Sequence, residues 1–142
     1  PTLGGYWEGV DIETRSALGL FPSEEAQNAM WADRQREKAG ILAALKSEGL
    51  LPSGVPDDPA QVPMMTTELM EGILQYLART PASIVLANID DVIGTRCQAN
   101  LPGTVDQHPN WRRKVSLTVE DLVQDRRFER LASLLRSTRP LV

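Results

Sequence analysis

Apolar residues recur at helical spacing in three stretches of this 142-residue chain, and the intervals between them carry prolines and glycines instead. The longest stretch places Ala26, Ala29 and Met30 at one end and Ala39, Ile41, Leu42 and Leu45 at the other, which predicts a helix from Glu24 to about Glu48. Ser23 stands where an N-cap belongs, Glu24 and Glu25 suit the positive end of the helix dipole, and Gly49 falls just past the C-terminus. Between the two apolar ends lies Asp33-Arg34-Gln35-Arg36-Glu37-Lys38. This polar middle is expected to be a solvated face, so that the helix packs at its ends; Arg34 and Arg36, interspersed with acids, are read as solvated instead of phosphate-binding. A second stripe, Leu69, Ile73, Leu74 and Leu77, predicts a helix capped by Thr66 or Thr67 and ended near Arg79-Thr80 by Pro81. A third, through Leu122, Val123, Phe128, Leu131, Leu134 and Leu135, starts at Thr118 with Asp121 in the capping-box position and a break near Gln124-Asp125.

The intervals read differently. Pro1 to Val10 is rich in glycine and aromatics and is expected to be a loop, with Tyr6 and Trp7 lining a groove or anchoring the loop; anchoring is expected of one of them. Asp11 is expected to cap a short helix from Ile12 to Leu18 closed by Gly19. From Leu51 to Pro63 four prolines and Gly54 interrupt any period, which predicts a wandering surface loop. Ser83-Ile84-Val85-Leu86-Ala87 is a short apolar run with the pattern of a strand buried on both faces, and Asp90 to Gly94 follows it as a helical turn. The resulting fold class is mostly α with one or two short β-strands, and no internal repeat interrupts the order.

The segment from Asn100 to Lys114 departs most from any period. Two X-Pro steps and a Pro-Gly pair bias it toward a shaped turn. Over its fifteen positions it gathers two Asn, a Thr, an Asp, a Gln, the chain's only His, a Trp and three cations. Such a loop is a candidate site, because carboxamides fork onto neighbouring hydroxyls and an indole covers the apolar face of a pyranose ring. The residues alone favour a plain surface loop in which Trp111 plugs a core while Arg112, Arg113 and Lys114 are solvated.

Composition narrows the chemistry. A net charge of −4 favours neither nucleic acid nor an anionic membrane. No apolar run approaches the length of a membrane span, and no charged-then-apolar leader opens the chain. Cys97 is the single cysteine, which excludes an internal disulfide and suits a reducing cytoplasm. His108 has no cysteine or carboxylate at ligand spacing, so no metal is expected. The adjacent acids Glu24-Glu25, Asp57-Asp58, Asp90-Asp91 and Glu120-Asp121 diverge by about 100° on a helix, so none reads as an acid/base pair. Asp90 and Asp91 are expected to cap a helix. Phosphate-loop and nucleophile-elbow patterns are absent.

Asn100-Leu101-Pro102-Gly103-Thr104, followed by His108-Pro109-Asn110-Trp111-Arg112-Arg113-Lys114, resembles the C-terminal signature of the amylomaltases, the 4-α-glucanotransferases or disproportionating enzymes. The opening Pro1-Thr2-Leu3-Gly4-Gly5-Tyr6-Trp7 is similar to another run of that family, and Pro81 to Leu86 with Asp90 to Gly94 sits where the family has its last barrel strand and the turn after it. The resemblance implies the C-terminal segment of a (β/α)₈ barrel, incomplete alone because a barrel needs about 250 residues. Residues 1–63 would be a helical insertion with a proline-rich loop, and residues 64–142 the last helix-strand-helix part of the barrel. It implies a retaining transfer of α-1,4-glucan segments between maltooligosaccharides without metal or organic cofactor. The nucleophile, acid/base and third carboxylate would all precede Pro1, the third in a His-Asp pair directly before it, so no catalytic residue is assigned. Asn100 would contact a glucose unit on the acceptor side, with Pro102, Gly103 and Thr104 shaping its turn, while Asn110, Trp111 and Arg112 would hold the loop to the barrel. The implied partners are the α-1,4-glucan and the remaining N-terminal part of the barrel, without nucleic acid or membrane; the isolated chain would be inactive and prone to swapped or edge-paired oligomers. The rival is a non-catalytic helical module gripping an acidic partner or single-stranded nucleic acid through Trp111 to Lys114.

Overall fold

The computed structural model describes residues 1–139. It contains seven α-helices and one 3₁₀ turn among the described residues: α1 (Leu3–Glu8), α2 (Val10–Ala17), α3 (Glu24–Ser47), the 3₁₀ turn Pro59–Gln61, α4 (Thr67–Ala78), α5 (Ile89–Val92), α6 (Val119–Gln124) and α7 (Arg126–Thr138). The end of the unit expected at 64–142 lies outside the described residues. No helix among the described residues is long and apolar enough to cross a membrane.

α4 is the centre of the packing and lies against α3, α5 and α7. Its apolar face supplies Leu69, Met70 and Leu74, which meet Leu42 and Leu45 of α3, Val92 of α5, Leu131 of α7, and Trp7 from the opening segment. Burying a leucine such as Leu42 or Leu69 completely contributes about 2 kcal/mol. The expected caps form: the Ser23 hydroxyl accepts the Ala26 amide, the Thr66 hydroxyl accepts the Leu69 amide, and Thr118 and Asp121 close a reciprocal capping box. Asp125 ends α6 and caps α7, which is the break expected there.

Several expectations are corrected. The opening is helical: the Thr2 hydroxyl accepts the Gly5 amide and starts α1, and Gly5 lies so close to the Arg96 carbonyl that a Cβ would overlap it. The glycines that argue for a loop thus permit a close helix-to-backbone approach. Asp11 caps nothing. Gly9, with φ +81°, separates α1 from α2, and Asp11 lies within the first turn of α2. Trp7 and Tyr6 both anchor: the Trp7 indole N–H donates to the Val62 carbonyl at 2.9 Å, and Tyr6 gives its phenol proton to Glu37. The Pro-rich interval is only partly surface, since Val62 within it joins the core and Leu51 and Val55 pack against that core.

The polar middle of α3 is the largest correction. Arg34 is only 4% exposed, as is Lys38. The Arg34 guanidinium forks onto both oxygens of Asp11 at 2.9 Å, lies over the Tyr6 ring and donates to the Tyr6 carbonyl. Lys38 donates to the Val62 carbonyl at 3.1 Å and stands over the Trp7 ring. Burial pushes the Lys38 ammonium below its usual pKa, with the nearby Arg34 charge adding to the effect. Positions 34, 38, 42 and 45 continue one helical stripe, in which long aliphatic stems stand where shorter apolar residues would be expected.

The expected strand does not form among the described residues, which hold no β-strand. Residues 83–87 run without ladder partners; Val85 and Ala87 are half-buried while Ile84 and Leu86 are 76% and 84% exposed. A parallel strand pairs with a neighbouring strand and is covered on both faces; the described residues offer no strand to pair with, and only the Val85 and Ala87 side is partly covered.

Removing one partner of a buried ion pair strands the other charge. Asp11→Ala is therefore expected to destabilise the chain by about 3 kcal/mol in urea unfolding, whereas the double replacement Asp11→Leu with Arg34→Met recovers most of the loss. Burial first, and then the hydrogen bond to Glu37, raises the Tyr6 phenol to about 12. The fold thus favours the protonated phenol: this stabilisation is complete below the ordinary tyrosine value of about 10 and is lost as pH rises through about 12. A spectrophotometric tyrosine titration is expected to show a late phase that Tyr6→Phe abolishes.

Candidate functional site

The loop from Asn100 to Lys114 is shaped from within. Leu101 is fully buried and acts as its plug. Pro102 and Gly103 occupy the corners of the turn between Leu101 and Thr104, Gly103 at φ +87°, and the Thr104 amide donates back to the Leu101 carbonyl at 3.3 Å. Proline first and a left-handed glycine second is the arrangement of a type II turn. The Thr104 hydroxyl donates to the same carbonyl at 2.7 Å.

Asn110 is the brace. Its Oδ1 accepts the Leu101 amide at 2.8 Å, and its Nδ2 donates to the Thr104 carbonyl at 3.1 Å and the Thr104 hydroxyl at 2.9 Å. One carboxamide therefore closes the loop on itself. The Trp111 amide donates to the Ala99 carbonyl at 2.8 Å, which binds the returning strand of the loop beside Asn100. Trp111 adopts φ +59°, a conformation uncommon for a bulky residue, and its side chain is 76% exposed. The bracing contact of Trp111 is made by its backbone, and the indole faces outward. By contrast, no group among the described residues hydrogen-bonds the Asn100 carboxamide, which is half-buried. Arg112 is exposed, 3.9 Å from an equally exposed Asp106. His108 Nε2 lies 3.3 Å from the Gln98 carbonyl.

One ion pair fixes the loop to α5, and the neighbouring acid ties α5 to α1. Arg113, expected to be solvated, pairs with Asp90 at 2.8 Å, with both side chains largely buried. Asp91 accepts the Leu3 amide at 2.6 Å, at the start of α1; burial pushes its carboxyl up, partly offset by that amide. The two acids expected to cap their own helix thus serve other elements, and Asn88 caps α5 through the Asp90 amide. Arg96 was missed in the sequence. It pairs with Glu8 at 2.8 Å and donates to the Met65 carbonyl at 3.0 Å and the Gly94 carbonyl at 2.8 Å, while its own carbonyl accepts the Thr2 hydroxyl at 3.2 Å. Its partners lie up to 94 positions away, so no local pattern signals it. No group of three or more His, Cys, Asp or Glu able to hold a metal ion occurs among the described residues.

A family profile described as 4-alpha-glucanotransferase matches residues 1–118. A 4-alpha-glucanotransferase of Mycobacterium tuberculosis is 32% identical over an alignment covering 96% of this chain and 18% of the relative, and that of Mycobacterium bovis gives the same values. A 4-alpha-glucanotransferase of Haemophilus influenzae is 25% identical, with 82% of this chain and 16% of the relative covered. The chain thus spans less than one fifth of the length of these relatives.

Asn110→Ala removes the acceptor of the buried Leu101 amide and two donors to Thr104. Leaving a buried group unpaired costs about 1–3 kcal/mol. The expected outcome is hydrogen exchange at Leu101 accelerated at least tenfold, with α3 amides unchanged; Asn100→Ala leaves both unchanged.

Proposed function

Because the chain belongs to the 4-alpha-glucanotransferase family, we propose that it serves as the C-terminal portion of such an enzyme and presents acceptor-side sugar contacts from the loop at 100–114. The observation that carries this reading is the division of labour between two asparagines on one loop. Asn110 spends its carboxamide on the loop's own backbone, while Asn100 keeps its donor and acceptor unspent on a rigid support. A pre-shaped loop with a free carboxamide suits the fork of adjacent hydroxyls on a glucose unit.

In this reading the parent enzyme moves α-1,4-glucan segments between maltooligosaccharides by retaining double displacement. One carboxylate forms a glycosyl intermediate, an acid assists the leaving oxygen, and a sugar hydroxyl accepts the chain. Those carboxylates lie outside this chain. Pro102, Gly103 and Thr104 hold the turn that aims Asn100, and Asn110 with the backbone of Trp111 holds the turn itself. Residues 83–87 form the last strand once neighbouring strands pair with them, which accounts for an extended apolar run with one bare face. Residues 1–63 are then a helical insertion with its proline-rich loop, and the segment from residue 64 onward closes the barrel.

The test is transfer from maltotriose. The polypeptide that carries this chain together with the upstream barrel is expected to release glucose and longer glucans, Asn100→Ala lowering its efficiency for the acceptor about tenfold or more. The 142-residue chain alone is expected to yield no product. Glucose and longer glucans from the isolated chain, or an Asn100→Ala enzyme with unchanged acceptor kinetics, would contradict the reading.

A further inference from the structure

The start of α1 is held more closely than the size of the helix explains. A helix of six residues has no stability of its own in water, and its largest buried side chain, Trp7, lies toward the opposite end. The first turn, Leu3-Gly4-Gly5, is fixed mainly by hydrogen bonds. The Leu3 amide donates to Asp91 at 2.6 Å, and the Thr2 hydroxyl donates to the Arg96 carbonyl at 3.2 Å while accepting the Gly5 amide at 3.0 Å. Both glycines press against Arg96 with no room for a Cβ. A first-turn amide is ordinarily left to water. Here it goes to a carboxylate held there against burial, which pushes the Asp91 carboxyl up. All of these distant partners belong to residues 91–96, in and just after α5, the turn that follows residues 83–87. With that run as a barrel strand, residues 91–96 stand at the end where (β/α)₈ enzymes carry their chemistry, and α1 starts at the same end.

We propose that Asp91 is a positioning residue for the transfer reaction: by holding the Leu3 amide it fixes the segment that enters α1 at the reacting end of the barrel. This inference rests on the sugar-transfer reading above and adds to it a residue that touches no substrate and lies outside the loop at 100–114. Its neighbours are committed elsewhere. Asp90 is turned to Arg113 at 2.8 Å, and Arg96 is divided among Glu8 and two carbonyls. Among the described residues, only Asp91 joins α5 to the first amide of α1. The bond uses one carboxylate oxygen, Oδ1. A carboxamide offers the same acceptor, and a methyl group offers none.

The experiment compares Asp91→Asn and Asp91→Ala in the polypeptide that carries this chain with the upstream barrel, following transfer from maltotriose well below each thermal transition. Asp91→Ala is expected to lower kcat about tenfold or more, with KM within about threefold of the parent. It is also expected to move the acid limb of the pH profile of kcat, which reports the catalytic groups in the bound complex. Loss of folded protein would scale that profile without moving it. Asp91→Asn keeps the acceptor for the Leu3 amide and is expected to hold kcat within about threefold, with the limb in place. Equal effects of Asn and Ala would assign the role to charge and overturn the positioning of Leu3, as would a profile scaled but unmoved, or full activity, in Asp91→Ala. If the parent itself shows no transfer, the sugar-transfer reading fails and the positioning role falls with it. Should Asp91→Ala fold poorly, Leu3→Pro decides: proline suits the first helical position after an extended Thr2 and removes the amide donor. A matching fall in kcat there supports the proposal, and an unchanged kcat overturns it.

Discussion

Arg96 is the tie on which the arrangement around the loop depends. Its guanidinium meets Glu8 at the end of α1, the Met65 carbonyl before α4 and the Gly94 carbonyl after α5, while its own carbonyl receives the Thr2 hydroxyl that caps α1. Gly5 rests against the same carbonyl with no room for a side chain. Glu8 completes the circuit by accepting the Met65 amide at 3.0 Å. Three segments distant in sequence are thereby fixed at the point where the chain enters the loop. A fork of guanidinium donors can do this because its planar geometry satisfies a carboxylate and carbonyls at once, which a lysine ammonium cannot.

The same economy runs through the rest of the support. Asp90 and Asp91 are neighbours in one short turn, yet one holds Arg113 of the loop and the other the first amide of α1. The turn thus links the opening helix to the far end of the loop. Within the loop, Asn110 does with one carboxamide what three separate contacts would otherwise do. Within the loop the Asn110 carboxamide and the Thr104 hydroxyl are spent on internal hydrogen bonds, whereas the Asn100 carboxamide has no hydrogen-bond partner among the described residues. On the reading proposed here, that carboxamide is what the family's sugar chemistry uses.

What was legible in the sequence followed from local physics. Ser23, Thr66 and Thr118 cap helices because a short hydroxyl two or three residues before a periodic run satisfies an otherwise orphaned amide, and the Pro102-Gly103 turn follows from the fixed φ of proline and the freedom of glycine. What was not legible depends on distant partners. Gly4 and Gly5 look like loop formers until Arg96, some ninety positions on, explains why a helix there must be bare. Arg34 and Lys38 look solvated until Tyr6, Trp7 and Asp11 are seen to cover them. Residues 83–87 have the composition of a strand but no strand to pair with among the described residues. The loop itself was found by its density of chemistry, but which asparagine is spent and which is free is visible only in the folded chain.

The most direct test is a heteronuclear NMR titration of the 142-residue chain with maltoheptaose. The account predicts weak, salt-insensitive binding with shift changes concentrated on the Asn100 side-chain amide and the backbone from Ala99 to Thr104. Shifts centred elsewhere, for instance on the apolar cleft of Ile41, Leu45, Ile73 and Leu77 between α3 and α4, or no shifts at sugar concentrations that saturate ordinary carbohydrate sites, would contradict it.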